Sequence, residues 1–293
     1  MNSIAFKKNL ILDNESSQIA YREIIEQYRS GQMTTALDNA LRATEQFPLS
    51  PDLWKILGVI SQDLNRGEGA TAAFRQAVVL SGDDPVNHSN LALALYRQGQ
   101  MAEAILSLQR VAELDPSDAD AHYNLGVLLK ESGRFKDAIA AYRRALNLNP
   151  EVAEAFNNLG ILLCEQGRLG EGIDAYKLAL SVQPNYWEAL LNLGTELQKV
   201  HFASEDRSLY PCLEQLLNAE NMVAPADVAP AILSLLKHDP ILIAMLREPS
   251  GQLDLTAHLN RISKLEQLPL LQKLMRLCPL PDLALERVFT GIR

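Results

Sequence analysis

Four asparagine residues recur in the chain at a spacing of 34 residues: Asn90, Asn124, Asn158 and Asn192. An amide side chain carries a carbonyl acceptor and an N–H donor together. It can therefore bond both the C=O and the N–H of an extended peptide, whatever the sequence of that peptide. Aligned along a groove, four such residues are predicted to form a ladder that recognises a peptide main chain. Ile56 interrupts the series one period before Asn90.

Two histidines share a second position of the same period. His88 and His122 also lie 34 residues apart, and a metal-binding pair is the alternative interpretation of this position. The same position holds Trp54 one period earlier, so a packing position for an aromatic ring is the favoured interpretation. The three cysteines are odd in number and widely spaced, which fits neither a disulfide framework nor a zinc site: Cys164, Cys212 and Cys278. We predict no metal site and a reducing compartment.

Motifs of catalysis are absent from the sequence. It contains no G-x-S-x-G, H-E-x-x-H, Walker or C-x-x-C motif. The run from Gly167 to Gly172 is rich in glycine, but no strand precedes it and it falls on a repeat turn. The sequence therefore predicts no catalytic residues, no bound cofactor and no enzymatic activity.

The composition is that of an ordinary globular protein with an acidic surface. Of the 293 residues, 47% are hydrophobic, and 27 basic residues face 36 acidic ones, for a net charge of −9. Such a charge repels phosphate backbones and anionic membranes, so neither nucleic acid nor membrane is a predicted partner. No signal-like segment follows the N-terminal lysines, and no run is long enough to span a membrane. We expect a cytoplasmic protein.

Small residues and prolines carry the same 34-residue period in three further series. The first is Gly58, Gly126, Gly160 and Gly194, with Ala92 in the gap, and a leucine precedes every member. The second is Gly31, Gly99, Gly133 and Gly167, with Asn65 in the gap; the third is Pro48, Pro116, Pro150 and Pro184, with Gly82 in the gap. A fixed period of this length indicates a solenoid of stacked repeats.

Each repeat has the pattern of two helices. Between Asp118 and Pro150, apolar residues recur at steps of three and four residues on both sides of Gly133. Glycine adopts the left-handed conformation that ends a helix, so Gly133 is predicted to separate the two. Gly126 and Ala138 are placed where the helices cross, because small residues allow close approach.

These residues resemble the tetratricopeptide-repeat (TPR) family. The family pattern W-x2-L-G, A-x3-F and P appears as Trp54, Leu57, Gly58, Ala70 and Phe74. Later repeats carry Leu125, Gly126, Ala138, Tyr142 and Pro150, and then Leu159, Gly160, Tyr176 and Pro184. The first repeat departs from the pattern, with Ile24 in the glycine position and Ala40 in the aromatic position. The resemblance implies an all-α, right-handed superhelix whose first helices line a concave surface.

The period also predicts the division of the chain. Residues 1–16 form an N-terminal segment, and residues 17–200 form the solenoid. A sixth first helix, from Trp187 to about Val200, follows the last full repeat. The five full repeats are 17–50, 51–84, 85–118, 119–152 and 153–186. Residues 201–293 are predicted to form a capping helix and a Leu- and Pro-rich helical tail, through which the protein can oligomerise.

The resemblance places the asparagine ladder on the concave surface, together with further candidate partner-binding residues. These neighbours combine aromatic rings, amides and positive charge: Tyr96, Arg97, Tyr123, Lys130, Asn157 and Gln198. Related TPR proteins hold peptide C-termini with a lysine clamp. Here the start of the first helices carries Asp52, Asp120, Glu154 and Glu188, which would repel a carboxylate.

Two functions follow as expectations. The main one is a non-catalytic scaffold that binds a protein or peptide in the TPR groove. The alternative rests on the tail, where residues 225–240 and 269–287 resemble the linker of bacterial TPR–methyltransferase fusions. In that reading the chain is the substrate-recognition arm of a methyltransferase or glycosyltransferase, with the catalytic domain beyond Arg293.

Overall fold

A computed structural model describes residues 2–219, 223–246 and 262–278, with side chains from residue 15 onward. These ranges contain helices and no strand, as the sequence predicts. The repeat helices are α1 Asn2–Arg29, α2 Met33–Gln46, α3 Pro51–Asp63, α4 Gly67–Leu80, α5 Pro85–Arg97, α6 Met101–Leu114, α7 Ala119–Glu131, α8 Phe135–Leu148, α9 Ala153–Glu165, α10 Leu169–Val182 and α11 Trp187–Leu197. The tail helices are α12 Tyr210–Asn218, α13 Pro225–Leu236, α14 Pro240–Leu246 and α15 Pro269–Leu277.

The chain divides into two compact units, Met1–Asn149 and Pro150–Arg293. The first unit contains four helical hairpins, from α1–α2 to α7–α8, and each packs on the next. The second contains the hairpin α9–α10, then α11 and the tail helices. Two of these helices fall in each predicted repeat range, and α11 spans Trp187–Leu197, within the range predicted for a sixth first helix. Helix α1 begins at Asn2, so it extends back through the predicted N-terminal segment.

The turns inside the hairpins require a left-handed residue. Gly31, Gly99, Gly133 and Gly167 have φ angles between 73° and 78°, and Asn65, which fills the gap in their series, has a φ of 57°. Left-handed backbone costs about 1–2 kcal/mol for most residues, whereas Gly adopts it readily and Asn tolerates it. The second glycine series therefore marks the ends of the first helices, as its spacing predicts.

Three glycines of the first series make room for an aromatic ring on the second helix. A Cβ atom added to Gly58 would lie 2.5 Å from the Phe74 ring, and one added to Gly126 would lie 2.8 Å from the Tyr142 ring. Gly160 faces Tyr176 in the same way. The two positions therefore have a fixed combined volume, because protein interiors are close-packed.

The irregular repeats keep the same two positions filled in another way. Ile24 and Ala40 in the first repeat are 2% and 0% exposed, so the large residue is on the first helix and the small one on the second. In the third repeat the two positions hold Ala92 and Leu108, which is smaller than an aromatic residue, and both are buried. The apparent degeneracy of these repeats is an exchange of volume between paired positions.

Three prolines in the described part of the tail begin a helix. Pro225, Pro240 and Pro269 occupy the first positions of α13, α14 and α15, where a missing N–H costs no hydrogen bond. Pro230 lies inside α13. Of the predicted Leu- and Pro-rich tail, residues 220–222, 247–261 and 279–293 lie outside the described residues.

The tail helices share a core with the end of the repeats. Buried residues of α10 and α11 belong to one cluster with those of α12 to α15. A Cβ atom on Gly194 would lie 2.8 Å from Val223 and 3.0 Å from Leu216, so helix α12 and its flank cover α11. In the described part of the chain no single helix is long and apolar enough to cross a membrane, although α13 and α14 meet the length and composition criteria jointly, with an 87° bend between them.

Candidate functional site

A groove of about 410 Å³ lies on the first unit, along helices α5 and α7. Its lining comes from α5, α6, α7 and the residue before α7: Ser89, Asn90, Ala92, Leu93, Tyr96, Leu108, Asp118, Asp120, Ala121, Asn124, Val127 and Leu128. Three of the predicted partner-binding residues, Asn90, Tyr96 and Asn124, therefore meet in one cavity. The period explains the meeting, because residues 34 apart occupy the same face of successive first helices.

The two asparagines in the groove have free amides. Asn124 is exposed and Asn90 is half-buried, and neither side chain makes a hydrogen bond to any residue of the described ranges. Both groups therefore keep one acceptor and two donors available for a ligand.

Apolar surface lies beside the amides. Leu93 is 42% exposed and Tyr96 is 38% exposed. The Tyr96 hydroxyl donates a hydrogen bond to Glu131 Oε1 at 3.2 Å, which fixes the ring at the edge of the groove and raises the pKa of Tyr96. Leu93 and Val127 each lie three residues after a groove asparagine, a spacing that places them on the same helix face. That spacing is visible in the sequence, but the prediction omitted both residues.

The asparagines of the second unit have a different environment. Asn192 Nδ2 donates to Asn157 Oδ1 at 3.0 Å, and Asn157 is only 6% exposed. Two predicted binding residues therefore bind each other. Asn158 is half-buried on α9 and has a partner within the chain. The members of the ladder share a period but not an environment.

The remaining predicted residues are dispersed. The Tyr123 ring packs at a tilt on Tyr142, with 5.9 Å between ring centroids. Arg97 lines a smaller cavity of about 190 Å³ at the α3–α4 turn, where Gln98 donates to the Gly67 carbonyl. Lys130 is half-buried on α7, and Gln198 is exposed at the end of α11.

The aromatic position that contains His88 and His122 stabilises the turns between repeats. Trp54 Nε1 donates to the Pro48 carbonyl at 2.9 Å. His88 Nε2 lies 3.0 Å from the Gly82 carbonyl and His122 Nε2 lies 3.3 Å from the Pro116 carbonyl. In all three contacts the ring residue lies six residues after the carbonyl that it contacts, so in these repeats it ties the first helix to the turn that precedes it.

His, Cys, Asp and Glu side chains are the remaining groups that could bind a metal or react. No group of three or more His, Cys, Asp and Glu side chains there is arranged to hold a metal ion. The three cysteines are free thiols, two of them buried, and burial raises the pKa of each: Cys164, Cys212 and Cys278. A raised pKa reduces the thiolate fraction and with it the reactivity of a cysteine.

Together the helical hairpins and the open groove define an all-α repeat protein. Comparison with family models identifies the family: TPR models match residues 21–85, 92–133, 119–152 and 141–174. The chain belongs to the tetratricopeptide-repeat proteins. These matches end at residue 174, so the resemblance of the tail to methyltransferase-fusion linkers stays a prediction.

Solved structures with the same fold are TPR proteins as well. MamA is 23% identical over 56% of this chain and 95% of its own, with a TM-score of 0.53. YrrB, described as a TPR protein with an unusual peptide-binding site, is 20% identical over 64% and 96%, with a TM-score of 0.56. PilF of Pseudomonas aeruginosa is 17% identical over 78% and 94%, with a TM-score of 0.54. No curated protein matches the sequence. At these identities the likeness shows the fold, and the repeats support a protein-interaction scaffold.

Proposed function

We propose that the chain is a non-catalytic scaffold that binds an extended peptide segment of a partner protein in the groove along α5 and α7. In this proposal the chain acts by binding alone and carries no reaction of its own. The cytoplasmic location and oligomerisation through the tail are further proposals that rest on the sequence.

The observation that carries the proposal is the pair of unpartnered amides on one groove. A polar side chain with no partner in the protein keeps its hydrogen bonds for water or for a ligand. Asn90 and Asn124 hold equivalent positions on neighbouring first helices, so an extended peptide that runs along the groove between these helices can bond to both amides. Leu93, Val127 and Tyr96 supply apolar surface for its side chains. Asn192 is excluded from the same role in this proposal, because Asn157 already accepts from its amide.

The test begins with peptides selected from a random library displayed on phage, with the full chain as bait. A selected peptide is synthesised, and its affinity is measured for the parent and for Asn90→Ala/Asn124→Ala. Each neutral hydrogen bond contributes about 0.5–1.5 kcal/mol, so the double substitution should weaken binding by about 5- to 150-fold. The thermal midpoint should not fall, because Ala is the better helix former.

The control is Asn147→Ala, an exposed asparagine on α8 that does not line the groove. It should leave the affinity unchanged. Equal affinity for the parent and the double variant would refute the proposal. So would a double variant that loses binding and melts well below the parent, because the asparagines would then be structural.

A further inference from the structure

We infer that the peptide bound in this groove is basic, with a lysine or arginine side chain at the Asp118–Asp120 end and an apolar side chain near Val127. The inference rests on the proposed function, and it adds the chemical class of the partner segment.

The charge of the groove has one sign. Among its lining residues, all in the described part of the chain, Asp118 and Asp120 are the charged members, and there is no Lys, Arg or His. Asp120 is exposed and makes no ion pair or hydrogen bond within the described residues. Asp118 Oδ1 accepts from the Ala121 N–H at 2.9 Å as the cap of α7, and no cation within the described ranges contacts this carboxylate.

The corresponding carboxylates of the preceding repeats are neutralised within the chain. Lys55 Nζ lies 3.4 Å from Asp52 and 3.3 Å from Asp84, and it bridges the starts of α3 and α5. At α7 this bridging lysine has no counterpart, and two carboxylates face the groove instead. An acidic segment would be repelled there, whereas a cationic side chain supplies the missing counter-charge.

The helix geometry sets the order of contacts along the peptide. Asp120, Asn124 and Val127 lie on one face of α7, and Asp120 precedes Asn124 by four residues, or about 6 Å at 1.5 Å per residue. An extended peptide covers that distance in about two residues. The basic residue is therefore expected about two residues from the residue whose main chain Asn124 holds. Val127 lies in the other direction, so the apolar side chain is expected on the far side of that residue.

The experiment uses the same random phage library on the full chain, with the parent and Asp118→Asn/Asp120→Asn as baits. Asparagine is as good a helix cap as aspartate, so α7 keeps its cap. The parent should select peptides enriched in Lys and Arg, and the variant should not. A synthetic parent-selected peptide should bind the variant about 3- to 30-fold more weakly, as expected for one or two solvent-accessible ion pairs. The parent affinity should fall between about 0.05 and about 0.5 M NaCl, since salt screens such pairs.

The matched control is Asp38→Asn/Glu45→Gln, which removes two exposed charges from α2 outside the groove. It should change neither the selected sequences nor the affinity. Peptides that depend on Asn90 and Asn124 but show no excess of basic residues would overturn this inference and leave the proposed function intact. Selected peptides that bind as tightly to the variant Asn90→Ala/Asn124→Ala as to the parent would instead refute the proposed function. Equal loss of affinity in the control would also overturn the inference, because the effect would then come from net charge.

Discussion

The contact between Gly126 and Tyr142 determines how much volume the fourth hairpin accepts. A Cβ atom at Gly126 would lie 2.8 Å from both Cδ1 and Cε1 of the Tyr142 ring, closer than packed carbons allow. The ring is 0% exposed, so it cannot move into solvent. Overpacking of this kind costs about 1–3 kcal/mol. The higher helix propensity of alanine offsets up to about 1 kcal/mol of this loss of stability.

The substitution Gly69→Ala serves as a reference, because it gains helix propensity without a steric clash. Gly69 lies in α4, is exposed, and would place a Cβ no closer than 3.8 Å to Ser61. That substitution should raise the free energy of unfolding by about 0.5–1 kcal/mol. The free energy of unfolding of the Gly126→Ala variant should be lower than that of the Gly69→Ala variant by about 1–3 kcal/mol. Both free energies are measured by unfolding in urea, with far-ultraviolet circular dichroism as the signal.

The second part of this test copies the third repeat, where the two positions hold Ala92 and Leu108. Tyr142→Leu alone should destabilise the protein by leaving a cavity. The double variant Gly126→Ala/Tyr142→Leu should lose less stability than the two single variants added together. The difference in the free energy of unfolding should be about 0.5–3 kcal/mol, because the new methyl group fills part of the cavity. The reasoning fails if the two changes are additive, or if Gly126→Ala is as stabilising as Gly69→Ala.

Two further predictions concern single residues of the first unit. Asn65→Ala should lower the free energy of unfolding by about 1 kcal/mol, because alanine is strained in the left-handed turn, whereas Asn65→Gly should leave the urea midpoint unchanged or raise it; equal midpoints for both variants would contradict this. Tyr142→Phe should not destabilise the protein, because the Tyr142 hydroxyl is buried without a hydrogen-bond partner in the described part of the chain and Phe74 fills the same position in another repeat. Burial also raises the pKa of Tyr142, so above about pH 10 the unfolded state releases a proton that the folded state retains, and stability falls as pH rises. Urea midpoints at about pH 8 and about pH 11 should therefore differ less for Tyr142→Phe than for the parent; an equal or larger difference would refute the assignment.

Local features of this protein were predictable from the sequence. These features are the 34-residue period, the helical apolar stripes and the left-handed turn residues. Each depends on a few neighbouring residues, so the positions of the hairpins could be inferred from the sequence. Even the exception at Asn65 obeys the local rule, because its φ of 57° is one that asparagine tolerates. The aspartates before α5 and α7 cap their helices for the same local reason.

Which side chains are free was decided by the tertiary structure. Asn124 and Asn192 have the same residue type at the same place in the period, yet Asn192 bonds to Asn157 while Asn124 stays unpartnered within the described ranges. A hydrogen-bond partner comes from the neighbouring helix, so it depends on the residues that packing brings close. The period contains no information about that neighbour.

The same reason applies to the irregular positions and to the tail. Ile24 with Ala40, and Ala92 with Leu108, look like departures from a motif, but the structure shows that all four side chains are buried. In the tail, where the period ends, composition predicted helices but not that their buried residues would join the core of α10 and α11. A repeat sequence specifies its own hairpins because those contacts are local, whereas contacts between distant segments are fixed only when the chain packs.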